Sequence, residues 1–393
     1  MKMSGLGAKR PITSPWWLVC ISLAVVLQGC SHPLPLSLPG QYAYELSLAN
    51  TGRQLVAAWN GGETGNAIWI RLTDGAGKPV GAPVQLTDGK FDAYEPDIQP
   101  LGGDLLVAWY EKDLSTGALA ARLGRFTLQG QSRWQVTLSA SGAKGRNAIV
   151  RVHGEQVFAA WIETADGGEP ALWTARLDML GGIVEAAQRR STVSADTWNL
   201  NAAVNDAGTL MVVYDATIGT RAKELHLLTV GVDNVAESLL SSDDGRDSVY
   251  PDLALSGERA ALTWLDSRDG NSEVYLFAGS LSGLRSAVDR GIRVTNTPGQ
   301  SMGAYAAWIS DRLVLAWCDN SAGQYEIASQ QFDSRGVALG AARQLTRNST
   351  ESSIPAISAW RDGFALAWNE YQSVSDGGKR VIAASTAVIS LLQ

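Results

Sequence analysis

The run Leu55-Val56-Ala57-Ala58-Trp59 decides the fold, because its pattern, a short apolar run that ends in an aromatic residue, returns six more times along the chain. The aromatic residues of the seven copies are Trp59, Trp109, Trp161, Tyr214, Trp264, Trp317 and Trp368. Successive copies lie 50, 52, 53, 50, 53 and 51 residues apart. A repeat of this length with several strands per unit is typical of propeller blades. The sequence therefore predicts an all-β fold, a seven-bladed β-propeller with a repeat of about 51 residues.

One repeat, residues 250–296, predicts four short antiparallel strands. The predicted strands A, B, C and D cover residues 251–255, 260–264, 273–278 and 292–295. Gly, Asn and Asp stand between the strands, where tight hairpins need positive φ values. Strand B is almost entirely apolar, which indicates that both of its faces pack against neighbouring blades. We therefore expect the repeated aromatic residue to fill the space between blades.

The two ends of the chain predict how the ring closes. In several repeats a hydroxyl residue that ends strand D lies 22 residues before the blade aromatic: Thr87, Thr192, Ser242, Thr295 and Thr346. In the first repeat this offset falls on Ser37, whereas blade seven has a strand C near residues 380–385 and little chain after it. We therefore predict that residues 33–38 form the outer strand of blade seven and bury Leu34, Leu36 and Leu38. In the alternative, residues 31–40 are a tether and residues 387–392 form that strand.

The N-terminal residues read as a targeting segment, with an apolar run that is too short to span a bilayer as a mature helix. The run ends in Leu27-Gln28-Gly29-Cys30, which resembles the lipobox of bacterial lipoproteins. The resemblance implies that residues 1–29 are a signal peptide and that Cys30 carries the acyl chains of a lasting membrane anchor, palmitate among them. Residues 30–40 then hold the lipidated end and the ring-closing strand, and residues 41–393 the propeller. Ser31, by resemblance to enterobacterial sorting rules, implies the outer membrane.

Charge and cysteine usage limit the partners of the mature chain. Loss of the signal peptide leaves 29 basic and 39 acidic residues, a net charge of −10. A nucleic-acid partner is therefore not expected, because duplex binding needs basic stripes. Cys318 has no other cysteine to pair with in the mature protein once Cys30 is lipidated. We expect Cys318 to be a small buried residue and the fold to hold by packing alone.

The sequence predicts no metal site and no cofactor. The mature chain has three histidines, His32, His153 and His226, which fall in different elements. A Ser-His-Asp unit or a His-rich metal site is therefore not expected.

One blade position carries an acid unusually often. Two residues after the blade aromatic stand Glu111, Glu163, Asp266, Asp319 and Glu370, and the loops expected on the same face carry Tyr94, Trp198, Tyr250 and Tyr305. An acidic face with aromatic residues is common in protein-binding surfaces. These nine residues are therefore the candidate binding face. In the alternative, the acids accept hydrogen bonds from nearby loop N–H groups and recur because the blades were duplicated.

Two segments resemble known propeller repeats. Residues 331–340, Gln-Phe-Asp-Ser-Arg-Gly-Val-Ala-Leu-Gly, look like the repeats of bacterial sialidase-like propellers, and residues 266–275, Asp-Ser-Arg-Asp-Gly-Asn-Ser-Glu-Val-Tyr, are similar to a blade of TolB-type propellers. The sialidase Asp-box, Ser-x-Asp-x-Gly-x-x-Trp, is absent from the sequence. We predict a membrane-anchored scaffold, more a binding protein than an enzyme, for a protein or another envelope component. The alternative is a sialidase-like protein that binds or hydrolyses glycans. A cluster of arginine and carboxylate groups at the channel mouth favours the alternative.

Overall fold

The computed structural model describes residues 33–192, 194, 196, 199–218, 222–376 and 379–392. These residues form seven four-stranded antiparallel sheets arranged as blades in a ring, which confirms the predicted all-β seven-bladed propeller. The predicted signal peptide, Cys30 and Ser31 lie outside the described residues.

Each blade runs from an inner strand A to an outer strand D. Blades one to three comprise β2 (Tyr42–Asn50), β3 (Leu55–Gly62), β4 (Ala67–Thr73) and β5 (Pro79–Gln85); β6 (Asp92–Leu101), β7 (Asp104–Lys112), β8 (Leu119–Thr127) and β9 (Ser132–Thr137); and β10 (Lys144–His153), β11 (Gln156–Thr164), β12 (Pro170–Asp178) and β13 (Ile183–Arg189). Blades four to six comprise β14 (Leu200–Val204), β15 (Leu210–Ile218), β16 (Ala222–Val230) and β17 (Val235–Leu239); β18 (Ser248–Ser256), β19 (Arg259–Asp266), β20 (Glu273–Ser280) and β21 (Ile292–Arg293); and β22 (Ser301–Ile309), β23 (Arg312–Asp319), β24 (Glu326–Asp333) and β25 (Arg343–Gln344). Blade seven comprises β26 (Glu351–Trp360), β27 (Gly363–Asp376), β28 (Lys379–Leu392) and, from the start of the chain, β1 (Leu34–Pro35).

A single 3-10 helix, Leu281–Ser286, interrupts the strands of the described chain, between β20 and β21. No helix within the described ranges is long and apolar enough to cross a membrane.

The blade aromatics pack between neighbouring blades, as predicted. Trp109 of blade two, for example, lies in one apolar cluster with Val56 and Ala58 from β3 of blade one. Each of the seven clusters joins two successive blades in this way, and each contains one blade aromatic. All seven aromatics are at most 2% exposed. Because each sheet buries both faces against neighbours, a blade is stable only within the ring.

The chain closes the ring in blade seven, at the place predicted for residues 33–38. Leu34 and Pro35 of β1 pair with Ile389 and Val388 of β28, and β1 is the outermost strand of that sheet. Residues 387–392 belong to β28, the third strand, so the alternative that makes them strand D does not hold. Strand C of blade seven is therefore longer than the predicted residues 380–385, because β27 and β28 extend together into a long hairpin.

Leu36 is the leucine of this segment that enters the core. It is fully buried in the cluster between blades seven and one, whereas Leu34 and Leu38 are 36% and 44% exposed. The expectation that all three are buried is therefore wrong for Leu34 and Leu38, since β1 is an edge strand with one face toward solvent.

A hydroxyl at the end of strand D accepts a hydrogen bond from a backbone N–H of strand C in every blade. In blade seven, Ala387 N donates to Ser37 Oγ at 3.1 Å. The acceptors in blades one to six are Thr87, Ser139, Ser191, Ser241, Thr295 and Thr346. Ser191 and Ser241 take the places predicted for Thr192 and Ser242, because the chain from this hydroxyl to the next blade aromatic is one residue longer there.

We predict that Leu36→Ala lowers the free energy of unfolding by about 2–5 kcal/mol, because it removes a fully buried side chain from the closing interface. Leu38→Ala, two residues along the same segment, removes a half-exposed side chain and is expected to cost less than about 0.5 kcal/mol. Urea unfolding of both variants measures the difference. Equal losses would place the closing contacts elsewhere.

Candidate functional site

A backbone bulge at the start of the inner strand recurs around the ring. In six blades the pairing of strands A and B shifts register there, and one residue adopts positive φ between 49° and 57°. These residues are Glu45, Glu95, Asn147, Tyr250, Gly303 and Ile354, each 14 residues before its blade aromatic. A bulge turns the side chain of the extra residue out of the regular alternation of the strand. In these six blades the bulge therefore turns one residue toward the central channel.

The bulge residues line a cavity of about 320 Å³ at one end of the channel. Leu200, which holds the same offset in blade four, lines it as well, so all seven blades contribute. The cavity lies on the face formed by the B–C and D–A connections, which we call the mouth face. At the offset position, blades one to three supply Glu45, Glu95 and Asn147, whereas blades four, five and seven supply Leu200, Tyr250 and Ile354.

Two carboxyl groups interact closely on the polar side of this cavity. Glu95 N donates to Glu45 Oε2 at 3.2 Å, and Asn147 Nδ2 donates to Glu95 Oε2 at 2.6 Å. Burial, and then the neighbouring charge of Glu45, raises the pKa of Glu95 to about 8. Burial also raises the pKa of Glu45. Both carboxyl groups therefore hold a proton more tightly than an exposed glutamate does, and each accepts a hydrogen bond in this arrangement.

Tyrosine rings and an arginine surround the carboxyl pair. Tyr94 and Tyr110 stack with their ring centroids 5.1 Å apart, and Tyr44 stacks on Tyr371 at 6.1 Å. Arg146 Nη1 donates to the Asn147 side-chain oxygen at 2.7 Å, and the positive charge of Arg146 opposes the rise in the pKa of Glu95. These groups lie behind the carboxyl pair, and the aromatic residues that line the cavity itself are Tyr250 and Tyr305.

Below the mouth, a polar network crosses the channel. Arg151 forms an ion pair with Asp97 at 2.7 Å and also contacts Asn201, whose amide donates to Asp252 at 2.6 Å. Backbone N–H groups of neighbouring blades donate to both aspartates, at 2.8 and 2.9 Å. Burial raises the pKa of Asp97, and that of Asp252 to about 6. These polar groups form their hydrogen bonds with one another. The network therefore links blades two to six around a deeper cavity of about 480 Å³.

The acids of the predicted binding face lie at the ends of the B strands. Most of them accept a hydrogen bond from the indole N–H of the tryptophan in the same blade. The indole N–H of Trp161 donates to Glu163 at 2.8 Å, and Glu163 is 2% exposed. The same contact joins the tryptophans of blades two, five and seven to Glu111, Asp266 and Glu370, at 3.0, 3.0 and 2.6 Å. Asp319 instead accepts from the hydroxyls of Thr297 and Ser301. These contacts favour the alternative in which the acids act within their blades, and their role as a binding face stays a prediction.

Blade one has no acid two residues after its tryptophan, and this absence shows the role of the acid in the other blades. Gly61 occupies the acid position there, and Trp59 Nε1 is buried without a hydrogen-bond partner among the described residues. The Gly61 carbonyl oxygen accepts a hydrogen bond from a different indole, that of Trp69, at 2.9 Å. The recurrence of an acid two residues after the tryptophan therefore has a local cause, since a buried indole N–H needs an acceptor.

The predicted aromatic residues of this face lie deeper than expected. Tyr94, Tyr250 and Tyr305 belong to the inner strands β6, β18 and β22, not to the D–A loops, because those strands begin earlier than their apolar pattern suggests. Tyr250 and Tyr305 line the mouth cavity, and Tyr94 stacks beside it. Trp198 lies outside the described residues.

Sequence reasoning missed Glu45, Glu95, Arg146 and Asn147. The signal was present as a constant offset of 14 residues before the blade aromatic, but no residue type marks it. Cys318 is buried, as predicted, and burial raises the pKa of its thiol to about 12. His226 is buried in β16 against Tyr214. Within the described part of the chain, no three His, Cys, Asp or Glu side chains are grouped to hold a metal ion.

Comparison with known proteins supports the fold. The structure is similar to the phage phi92 endosialidase (TM-score 0.52, 11% identity, 92% of this chain and 69% of that one) and to the Hadza microbial sialidase Hz136 (0.51, 11%, 86% and 73%). It is also similar to a Mycobacterium tuberculosis puromycin-hydrolyzing peptidase (0.53, 13%, 89% and 56%). No protein-family model and no curated protein matches the sequence. At these identities the structural neighbours, which are sialidases and another propeller enzyme, share the fold.

We predict that Glu163→Leu lowers the free energy of unfolding by about 1–3 kcal/mol, because it leaves the indole N–H of Trp161 buried without an acceptor. Glu163→Gln keeps an acceptor oxygen and is expected to cost clearly less. Glu63→Leu, at an exposed acid of a B–C loop, is the control and is expected to change stability by less than about 0.5 kcal/mol. Thermal and urea unfolding measure all three, and a Gln variant as unstable as the Leu variant would argue against the indole contact.

Proposed function

We propose that the protein is a membrane-anchored envelope lipoprotein whose propeller binds a glycan at the mouth of its central channel. The observation that carries the ligand class is the cluster of Glu45, Glu95, Asn147 and Arg146 between stacked tyrosine rings. The anchor rests on the lipobox that ends at Cys30.

The chemistry of the mouth suits a sugar. A sugar ring offers hydroxyl groups that both donate and accept hydrogen bonds, and a C–H face that packs on aromatic surfaces. Here the carboxyl groups of Glu45 and Glu95 and the amide of Asn147 supply donors and acceptors in one place. Pockets of about this size that combine aromatic walls with a few convergent polar groups are the usual form of small-ligand sites.

The acidic face offers less support for the scaffold function that the sequence first suggested. Most of its acids accept indole N–H groups inside their own blades, so their recurrence no longer needs a partner to explain it. Binding of a basic protein surface there stays a prediction. The cluster of carboxylate and arginine groups at the mouth is the feature that favours the glycan alternative.

Glycoside hydrolysis is a second candidate, which the presence of two carboxyl groups in one cavity favours. Burial raises the pKa of both Glu45 and Glu95, which suits a group that must give up a proton during the reaction. Hydrolysis of a glycosidic bond uses such a pair, in which one carboxyl protonates the leaving oxygen and the other activates water or attacks the sugar carbon. Both candidates place the ligand in the same cavity, so one set of variants tests both.

We predict that the purified protein binds a subset of oligosaccharides on a glycan array, and that Glu45→Gln and Glu95→Leu each weaken this binding at least about tenfold, because the first removes a charge and the second removes a hydrogen-bonding group. Glu63→Gln, an exposed acid of a nearby B–C loop, is the control and should bind like the wild type. A panel of 4-methylumbelliferyl glycosides tests hydrolysis with the same variants. Binding without release of the fluorophore supports a binding protein, whereas unchanged binding in both mouth variants would contradict the site.

We predict that Cys30→Ser moves the protein from the detergent-extracted membrane fraction to the soluble fraction, because acyl chains on one cysteine supply the attachment. Metabolic labelling with a palmitate analogue should mark the wild type and not the variant. Ser31→Ala, which keeps the cysteine, serves as the control and should stay membrane-bound. A Cys30→Ser protein that remains fully in the membrane fraction would disprove the anchor.

A further inference from the structure

The face opposite the mouth carries exposed apolar tips. This face is formed by the A–B and C–D connections of the blades, and we call it the anchor face. Leu180, Val232 and Val337 lie in the C–D turns of blades three, four and six and are 80%, 77% and 56% exposed. Ile183, at the start of β13, is 68% exposed beside Leu180. The loops of the mouth face also expose apolar side chains, Phe91 at 41% and Leu114 at 68%, so what distinguishes the anchor face is the recurrence of an apolar tip in the C–D turns of three blades.

The start of the described chain emerges toward the same face. Strand β28 ends at Leu392, which pairs with Phe364 next to the A–B turn of blade seven. Strand β1 is antiparallel to β28, and Leu34 lies opposite Ile389 while Pro35 lies opposite Val388. The N-terminal end of β1 therefore points toward the anchor face and away from the mouth.

The distance between the first strand and the lipidated residue is short. Cys30 precedes Leu34 by four residues, which span at most about 14 Å when fully extended. The strands of a blade, typically eight or nine residues long, extend for roughly 27–30 Å from one face to the other. Leu34 lies opposite Ile389, three residues or about 10 Å from the end of β28 at the anchor face, so a bilayer that holds acyl chains on Cys30 is within reach of that face. The direction of β1, and not the length of the span, disfavours the mouth, because the same residues would have to turn back along the blade to reach it.

From these observations we infer that the anchor face rests on the lipid bilayer and that its apolar tips enter the headgroup region. This inference rests on the proposed anchor at Cys30. A single attachment in blade seven leaves the ring free to tilt. Blades three and four lie across the ring from blade seven, so Leu180 and Val232 supply contacts far from the attachment point. Together with Val337 they hold the ring flat and turn the mouth, with Glu45 and Glu95, away from the membrane.

The charge of the anchor face identifies the kind of lipid surface. Basic residues such as Arg335, whose side chain is 82% exposed, stand beside acidic ones such as Asp233 and Asp333. The face is therefore not a basic patch for anionic lipid, and apolar contact is what it offers a membrane. Contact with a neutral bilayer is expected to be as good as contact with an anionic one.

The test uses the full-length lipidated protein in phosphatidylcholine vesicles, with and without anionic lipid. A single cysteine introduced by Leu180→Cys carries an environment-sensitive fluorophore, and Leu114→Cys, at a B–C loop residue that is 68% exposed, is the matched control on the mouth face. Cys318 is buried and Cys30 is blocked by lipid, so only the introduced thiol reacts. We expect a blue shift at position 180 and at least about threefold stronger quenching by lipid-borne quenchers there than at position 114.

Three outcomes overturn the inference in distinguishable ways. If the wild-type protein does not float with vesicles, the anchor fails and the inference fails with it. If the protein floats but both positions are quenched equally, or position 114 more strongly, only the orientation is wrong. If position 180 is shielded from a water-soluble quencher in native envelopes but not in pure lipid vesicles, the apolar tips bind a protein and not the bilayer. Quenching confined to position 180 in pure lipid supports the inference.

Discussion

The structure depends on the burial of one aromatic side chain between each pair of neighbouring sheets. Trp109 packs on blade one, Trp161 on blade two, and so on around to Trp59, which packs on blade seven. A sheet with two apolar faces has no stable surface to present to water, so every blade needs a neighbour on each side. A linear stack would leave two faces exposed, and a closed ring leaves none. The pairing of β1 with β28 is therefore the contact through which the ends of the chain join the ring.

Closure also places the binding site. Because the blades repeat, the bulge in the inner strand occurs at the same height in six of them and directs its residue toward the channel. The backbone is nearly symmetric, but the side chains are not: Glu45, Glu95 and Asn147 come from consecutive blades and therefore meet on one side of the mouth. Burial there, and then the nearby charge of Glu45, raises the pKa of Glu95. A common scaffold with local changes at one position is thus enough to build a polar site.

The acid after the blade tryptophan shows how a repeated motif can have a structural cause. Indole N–H groups buried between sheets must find an acceptor, and a carboxylate two residues along the same strand points to the same face. Glu163 and Glu370 fill this role, and the unpartnered indole of Trp59 beside Gly61 shows the consequence of its loss. Repetition in a propeller therefore points first to the needs of every blade. The residues that differ between blades, such as Glu95 and Ile354 at one bulge position, are the better guide to a ligand.

The sequence by itself determined the number of blades, the four-strand pattern and the closing segment, because all three follow from periodic apolar runs and turn residues that act locally. It did not determine the site. The bulge that turns Glu45 and Glu95 toward the channel lies mostly at residue types that seldom adopt positive φ, and among the six bulge residues only Gly303 and Asn147 are of types that commonly do. The meeting of side chains some 50 residues apart was decided by the tertiary structure alone, since the curvature of the closed ring brings the inner strands of blades one to three side by side.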